Sequence, residues 1–179
     1  MSPASESPQV ESPQDGEHMV HIDVTRTEMT QLLLPGQTNN HGNAFGGQIM
    51  AWCDICAAVA AQRFCRGEVV TASMDQLAFR KPVKSGMVVV LRAQVNRSWG
   101  TSMEVGVRVE AEDPKVGRRV HCCSAYLTFV HLDENGRPAS VPRLDPGVDG
   151  RRFDEAQARR EARLSLRDTI RAQRAQRER

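Results

Sequence analysis

Apolar and polar residues alternate along consecutive segments in the second half of the chain. Every second residue is apolar from 87 to 95, and again from 103 to 109. A period of two is typical of β-strands with one buried face. Trp99-Gly100 and residues 114–117 have the composition of turns. With a further apolar segment over 118–131, the pattern predicts an antiparallel meander of three strands.

A different pattern covers residues 46–65, which are mostly apolar and rich in alanine. It predicts a helix that is buried on all sides. Residues 24–34 predict a strand that ends at Pro35-Gly36, and residues 69–79 predict another that ends before Pro82. The order is therefore strand, buried helix, strand and meander. One long helix wrapped by a curved antiparallel sheet of five or six strands satisfies this order, which is an α+β fold.

The two ends of the chain differ in composition from this central domain, residues 23–132. Residues 1–22 contain four acids, three prolines and no lysine or arginine, and predict a disordered tail. Residues 133–152 are rich in proline, glycine and aspartate and predict a linker. A helix is expected over 153–178, in a terminal segment (153–179) rich in arginine. Because its apolar content is low, we expect it to dock weakly or on a partner subunit.

Composition limits the class of protein. A chain of 179 residues can form one domain with a core, and 40% hydrophobic with 26% charged residues indicates a soluble globular protein. The net charge of +2 does not favour a polyanion-binding protein. No apolar run reaches the ~18 residues of a membrane span, and no secretory signal is recognisable. Five cysteines without framework spacing indicate reduced thiols in a cytoplasmic protein.

Candidate chemistry lies between residues 38 and 62, where Asp54 is the only formally charged side chain. A lone carboxylate on an apolar helix is costly to bury and therefore suggests a function. Gly46 and Gly47 at the helix start offer backbone N–H groups and the positive end of the helix dipole. With the amide of Asn39, these groups can polarise a carbonyl and activate water. Each of these residues also has a purely structural interpretation. Asp54 could be a structural acid of the helix, Gly46 and Gly47 could allow close packing, and Asn39 could form a turn.

Cys53 and Cys56 form a C-x-x-C pair in the middle of the same helix. No second pair or suitably spaced histidine follows, so the spacing does not indicate a zinc site. A redox pair normally lies at a helix N-terminus. We interpret both residues as small buried side chains, and we expect neither a metal nor a redox cofactor.

Several sequence blocks together resemble a known family. Asn39 precedes Asp54 by fifteen positions with Gly46-Gly47 between them, and residues 70–75 and 101–105 read Val-Thr-Ala-Ser-Met-Asp and Thr-Ser-Met-Glu-Val. On these blocks the chain resembles the acyl-CoA thioesterases of the hotdog fold, in the cytosolic acyl-CoA hydrolase branch. The mammalian members carry two hotdog domains and a lipid-binding domain, whereas one hotdog segment is recognisable here.

The resemblance implies hydrolysis of an acyl-CoA to free CoA and a carboxylic acid, with CoA as part of the substrate and no separate cofactor. Asp54 would act as the general base toward water, or else as a nucleophile that forms an anhydride. The amide of Asn39 would hold the water or the thioester oxygen, and the N–H of Gly47 would stabilise the oxyanion. In the family these groups come from different hotdog units. We therefore expect Asn39 of one subunit to face Asp54 of its mate, in a homodimer built into a trimer of dimers.

The resemblance also implies where CoA binds. Backbone groups and hydroxyls of two strand blocks would line the pantetheine cleft: Ala72, Ser73, Met74, Thr101, Ser102 and Met103. CoA ends in phosphates, which favour basic side chains, and the candidates are Arg80, Lys81, Lys84, Arg97, Arg159 and Arg160. The resemblance supports Arg159 and Arg160, because the family places a basic residue of this helix near the nucleotide. The alternative for each is an ordinary strand or turn residue, or a solvated surface charge.

Three other functions remain open at this point. A hydratase or dehydratase on the same fold usually needs a histidine with an acid, and the motif helix contains no histidine. A non-catalytic acyl-CoA sensor would be favoured by loss of Asn39 or Asp54, and both are present. The arginine-rich helix could bind RNA, but it lacks interleaved aromatic residues and carries five acids over 151–179. We therefore expect no nucleic-acid partner.

Overall fold

One long helix lies against one curved sheet in the structure, a computed structural model that describes residues 19–148 and 150–177. Helix α1 spans Gly46–Cys65, which are the bounds predicted from the sequence. It ends at Arg66, whose left-handed backbone (φ 52°) turns the chain toward the sheet. One side of α1 packs into the core through these residues: Ile49, Trp52, Cys53, Cys56, Ala57, Ala60, Ala61 and Phe64.

Five antiparallel strands form the sheet that wraps α1, in the order β2-β4-β5-β6-β3. Their bounds are Thr27–Leu32 (β2), Glu68–Phe79 (β3), Val88–Trp99 (β4), Ser102–Asp113 (β5) and Arg118–Leu132 (β6). All five strands contact α1. The α+β architecture predicted from the sequence is therefore confirmed, and β2 and β3 are the two edges of the sheet.

The alternation predicted for β5 is seen in the side chains that face α1. Met103, Val105, Val107 and Val109 of β5 are all buried toward α1. Glu104 lies on the opposite face, yet only 1% of its surface is exposed. The second helix covers this outer face, which the alternation pattern alone did not indicate.

The chain segments flanking the sheet differ from expectation in detail. The strand predicted over 24–34 is shorter, spanning 27–32, because residues 22–25 form a 3₁₀ turn; a second 3₁₀ turn over 35–37 follows it. A short strand β1 (Met19–His21) pairs in parallel with β7 (Arg143–Asp145). β1 falls inside the predicted tail and β7 inside the predicted linker. The rest of the tail, residues 1–18, lies outside the described residues.

Helix α1 is not buried on all sides, so that prediction is wrong for the single chain. Met50 and Ile55 are 42% and 54% exposed, respectively. Phe79 of the edge strand β3, next to Gly46 at the start of α1, is 52% exposed as well. The apolar side chains of α1 therefore lie partly in the core and partly at the surface of the single chain.

Helix α2 (Arg151–Arg177) docks on the outer face of the sheet of its own chain. The indole of Trp99 donates to Gln157 over 2.9 Å, and Arg97 lies 3.9 Å from the ring of Phe153. Arginines later in the helix reach β5, β6 and β3. The expectation of weak or purely intersubunit docking is therefore wrong up to Arg163. Beyond residue 164 the helix is exposed.

Candidate active site

Asp54 lies two turns into α1 and is half-buried between the helix and the edge strand β3. The hydroxyl of Thr71, on β3, donates to its Oδ1 over 2.6 Å. A hydroxyl donor fixes the orientation of a carboxylate and leaves the second oxygen free to accept a proton. Thr71 belongs to the Val-Thr-Ala-Ser-Met-Asp block of residues 70–75, and no role was predicted for it. No signal in the local sequence distinguishes it, because alternation places Ser73 and Asp75 on the same face as Thr71.

The N-terminus of α1 presents free backbone donors. Phe45 is the N-cap residue, and its side chain makes no capping hydrogen bond. Within the described chain, no acceptor is recorded for the N–H groups of Gly46 and Gly47. A Cβ at position 47 would lie 2.7 Å from Cε1 of Phe45, so glycine is needed for the present position of that ring. These donors suit a developing negative charge.

Asn39 precedes the helix in a tight polar loop that closes on itself. Its Oδ1 accepts from the N–H groups of His41 (2.9 Å) and Asn43 (3.3 Å). The turn-forming role therefore occupies the carbonyl end of the side chain. The amide Nδ2 end donates to no acceptor recorded among the described residues, so it can still bind water or a carbonyl oxygen. His41 itself is exposed.

A cavity of about 380 Å³ opens beside this loop and the start of α1. Its lining combines apolar residues with two amide and two cationic side chains, and consists of Asn39, Asn43, Ala44, Gly46, Ile49, Phe79, Arg80, Lys81, Pro82 and Val83. The structure therefore brings Asn39 together with Arg80 and Lys81. Asp54 and Gly47 are not among the lining residues.

Gly47 and Asp54 of one helix are too far apart to act on one carbonyl group. They are seven residues apart in α1, and a helix rises 1.5 Å per residue, which separates them by about 10 Å along the axis. A general base must approach within hydrogen-bond reach, directly or through one water. One chain therefore supplies the parts of a site without assembling them.

The residues expected to line the pantetheine cleft are dispersed. Ala72 is exposed on β3, whereas Met74 packs against the core. Ser73 donates to Asp75 over 2.9 Å on the outer face. Thr101 is exposed in a turn, and the hydroxyl of the adjacent Ser102 lies 3.4 Å from the carbonyl of Trp99. The side chain of Met103 is fully buried in the core.

Three of the expected phosphate-binding arginines hold α2 against the sheet. Arg97 stacks on Phe153 and donates to its carbonyl over 3.2 Å. Arg159 forms a bidentate ion pair with the buried Glu104, at 2.7 and 3.1 Å. Arg160 lies over the ring of Trp99 at 4.9 Å.

The thiols of Cys53 and Cys56 are buried, which confirms their interpretation as small core residues. Burial raises the pKa of Cys56 to about 11 and that of Cys123 to about 12. These thiols therefore remain protonated and unreactive at neutral pH. Across the described residues, no group of three or more His, Cys, Asp or Glu side chains is placed to hold a metal ion. Neither described helix has the length and apolar character required to cross a bilayer.

Comparison with known proteins places this geometry in a family. Residues 41–118 match the profile of the thioesterase superfamily. The chain is 43% identical over 154 residues to mouse acyl-coenzyme A thioesterase 11, covering 84% of this chain and 26% of the mouse protein. It is 44% identical over 120 residues to the uncharacterized acyl-CoA thioester hydrolase YkhA of Bacillus subtilis, covering 67% and 70%.

Solved structures agree with the sequence relatives. An acyl-CoA hydrolase from Staphylococcus aureus, in complex with butyryl coenzyme A, coenzyme A and coenzyme A disulfide, superposes with a TM-score of 0.81 at 33% identity, over 87% of this chain and 96% of that one. Variants of that hydrolase with an aspartate, an asparagine or a threonine replaced by alanine are also similar. An apo-hexameric acyl-CoA thioesterase superposes with a TM-score of 0.81 at 35% identity, over 83% and 97%.

The fold is therefore the hotdog fold expected from the resemblance, with a helix wrapped by an antiparallel sheet. The chain belongs to the hotdog acyl-CoA thioesterases of the thioesterase superfamily. It spans about a quarter of the length of the mammalian acyl-CoA thioesterases that it matches.

Proposed function

We propose that this chain hydrolyses an acyl-CoA thioester to free CoA and a carboxylic acid. The observation that carries the proposal is the carboxylate of Asp54, half-buried on an apolar helix and oriented by Thr71 at 2.6 Å. The helix N-terminus with free N–H groups and the amide of Asn39 supply the donors that a thioester carbonyl needs. A carboxylate and hydrogen-bond donors of this kind suit the transfer of an acyl group to water. The family relationship supports an acyl-CoA as the substrate.

The spacing of the site residues supports these roles. In the S. aureus hydrolase, the asparagine, aspartate and threonine replaced in the variants lie fifteen and seventeen positions apart. Asn39, Asp54 and Thr71 are separated by the same two intervals. The residues chosen for replacement in that enzyme thus correspond to the three side chains singled out by geometry here.

In the proposed reaction, the thioester oxygen accepts from the N–H of Gly47 and the Nδ2 of Asn39. The free oxygen of Asp54 takes a proton from water as the water oxygen bonds to the carbonyl carbon. The N–H donors stabilise the resulting oxyanion. Collapse of this intermediate breaks the C–S bond, and the CoA thiolate leaves and takes up the proton. The alternative, attack by the Asp54 carboxylate itself, would pass through an anhydride that water then opens.

We place each site between two copies of the chain. The separation of about 10 Å between Gly47 and Asp54 in one helix requires a second copy to complete the site. The edge strand β3 and the exposed apolar residues Met50, Ile55 and Phe79 offer a surface for pairing two sheets. In this homodimer, Asn39 and Gly47 of one subunit face Asp54 of its mate. Hexameric neighbours support assembly into a trimer of dimers.

Substrate binding would use the cavity beside Asn39. Its apolar walls suit an acyl or pantetheine chain, and Arg80 and Lys81 at its edge suit the phosphates of CoA. No cofactor beyond the CoA of the substrate enters this chemistry. The buried free thiols suit a reducing compartment, and we place the reaction in cytoplasmic fatty acid metabolism.

The test is CoA release from a panel of acyl-CoAs from C2 to C18, measured for the wild type, Asp54→Asn and Asp168→Asn. Asp54→Asn removes the basic carboxylate but keeps the size and shape of the side chain. We therefore expect kcat to fall by about 100-fold or more while CoA still binds. Asp168→Asn, exposed on α2, is the matched control and should retain wild-type rates. The panel identifies the preferred acyl length.

Two outcomes would overturn the proposal. If the wild type binds acyl-CoA but releases no CoA with any chain length, the chain is a sensor rather than a hydrolase. If Asp54→Asn retains the wild-type kcat, the reaction does not depend on this carboxylate and the site is elsewhere.

A further inference from the structure

The edge strand β3 is irregular next to the catalytic contact. Its register against β6 shifts once between Thr71 and Ser73, and again between Met74 and Gln76. Each shift is a bulge, in which one extra residue of the edge strand is left without a direct partner. The first extra residue is Ala72, which directly follows the threonine that binds Asp54.

The first bulge reverses the direction of the side chains that follow. Thr71 faces α1, and in a regular strand residue 73 would face the same way. Instead, Ser73 and Asp75 both lie on the outer face, under α2. The second bulge restores the original alternation, because Met74 and Leu77 both pack against the core. The segment 73–75 is therefore an inverted stretch between two inward-facing parts of the same strand.

Arg163 of α2 holds this inverted segment in place. Its guanidinium lies 2.5 Å from Oδ2 of Asp75, contacts the hydroxyl of Thr128, and lies 3.5 Å from the hydroxyl of Ser73. Thr128 is the β6 partner of Ser73, so one side chain bridges both strands. Only 17% of the Asp75 side chain and 27% of the Arg163 side chain are exposed. A planar guanidinium can satisfy several acceptors at once, which an ammonium does less well.

The helix that carries Arg163 is anchored independently of β3. One turn earlier, Arg159 binds the buried Glu104 of β5. Two residues before Arg159, Gln157 accepts from Trp99 at the end of β4. By contrast, β3 is an edge strand that, among the described strands, pairs with β6 alone, and its pairing is interrupted twice. The fixed helix can therefore hold the bulged strand in place.

We infer that Arg163 is a positioning residue of the active site, which acts through the bulge at Ala72. By keeping Ser73 and Asp75 on the outer face, it keeps Thr71 turned inward against Asp54. The inference rests on the proposed function, because it assigns Arg163 to the geometry of that carboxylate. Without the guanidinium, segment 73–75 loses its outer contacts and the orientation of Thr71 relaxes.

The test compares Arg163→Met with Arg167→Met. Methionine keeps the apolar stem and removes all donors, and Arg167 lies one turn further on the same helix with 62% of its side chain exposed. We expect Arg163→Met to lower kcat for acyl-CoA hydrolysis by about tenfold, since small misplacements of catalytic groups have effects of this order. KM should change by less than about twofold, because substrate contacts persist. Arg167→Met should match the wild type.

A double-mutant cycle separates positioning from general stability. If Arg163 acts through Thr71, Arg163→Met should add less than about a twofold loss of kcat in a Thr71→Val background. Arg163→Lys can still pair with Asp75 and should restore kcat to within about threefold of the wild type. The lysine variant also keeps the set informative if the methionine variant folds poorly.

The outcomes distinguish the inference from the function on which it depends. If the two losses multiply, or if Arg163→Met lowers the melting temperature without lowering kcat, Arg163 is only a structural anchor and the inference is wrong. If Thr71→Val lowers kcat and Arg163→Met does not, the inference again fails while the proposed function stands. Absence of CoA release by the wild type would overturn both.

Discussion

The hydroxyl of Thr71 donates to Oδ1 of Asp54 over 2.6 Å, and this bond connects the edge strand β3 to the central helix. Because Oδ1 is engaged by this bond, Oδ2 is the oxygen that would accept the proton from water in the reaction we propose. The bond also orients the carboxylate relative to the exposed apolar surface through which we expect the two subunits to pair. Strand β3 thus provides both the expected dimer edge and the residue that orients the base.

Thr71→Val is therefore expected to lower kcat by about 10- to 100-fold, because valine keeps the shape and loses the donor. Thr71→Ser keeps the hydroxyl and should retain most of the activity. Steady-state kinetics with one acyl-CoA, together with thermal unfolding of each variant, checks both expectations. Equal activity of the valine and serine variants would show that the hydrogen bond does not contribute to the reaction.

Asn39 can be tested at each end of its side chain separately. Asn39→Asp keeps the oxygen that accepts from His41 and Asn43, so the loop should persist, but it replaces the free Nδ2 donor with an acceptor. We expect kcat to fall by about 100-fold with little change in the melting temperature. Asn40→Asp, an equal charge change at the neighbouring exposed position, is the control. Comparable losses in both variants would point to loop charge rather than to a lost donor.

The ion pair of Arg159 and Glu104 predicts a stability effect. Only 2% of the Glu104 side chain is exposed, so Arg159→Met would leave a buried carboxylate without its cation. We expect the free energy of unfolding to fall by about 3 kcal/mol, at the low end for a buried pair because Arg159 is partly exposed. The double variant Glu104→Gln with Arg159→Met should recover part of this loss. Urea denaturation measures it, and a loss no larger than that of Arg167→Met would contradict the prediction.

The sequence predicted the parts of the molecule that depend on local pattern. The bounds of α1 and the alternation in β5 follow from periodicity, and both are seen in the structure. The outer face of the sheet was not foreseen. Glu104 is buried only because α2 crosses over it. The sequence of β5 by itself does not indicate which element will cover that face. For the same reason Arg159 was assigned to a ligand and is paired internally.

The bulges of β3 show a second limit of sequence reasoning. Ser73 was placed in a substrate cleft because it belongs to the same block as Thr71. The extra residue at Ala72 turns it to the other face, and nothing in the local composition marks that position as a bulge. Register irregularities depend on the partner strand and on α2, which are distant in the sequence. Contacts between distant segments therefore decide which face of the sheet each candidate residue occupies.

The buried thiol of Cys56 predicts a dependence of stability on alkaline pH. Burial raises its pKa from 9.0 to about 11. The unfolded chain ionises this thiol at lower pH than the folded chain does, so its contribution is complete below pH 9 and is lost as pH rises through about 11. Relative to Cys56→Ala, the wild type should lose up to roughly 2–3 kcal/mol of unfolding free energy over this range. Urea denaturation at pH 7, 9, 10 and 11 measures the difference, and a constant difference would contradict the prediction.

A mixture of two inactive variants tests whether each site is shared between subunits. Asn39→Ala and Asp54→Asn each destroy one half of a site. When the two chains are coexpressed with separate tags and the mixed dimers are purified, one site contains both altered residues and the other contains neither. Random mixing gives half mixed dimers with one intact site each, so the unfractionated mixture should recover about a quarter of the wild-type activity. Purified mixed dimers should recover about half. If Asn39 and Asp54 of the same chain formed the site, every site would carry one altered residue, and the mixture would remain as inactive as either variant alone.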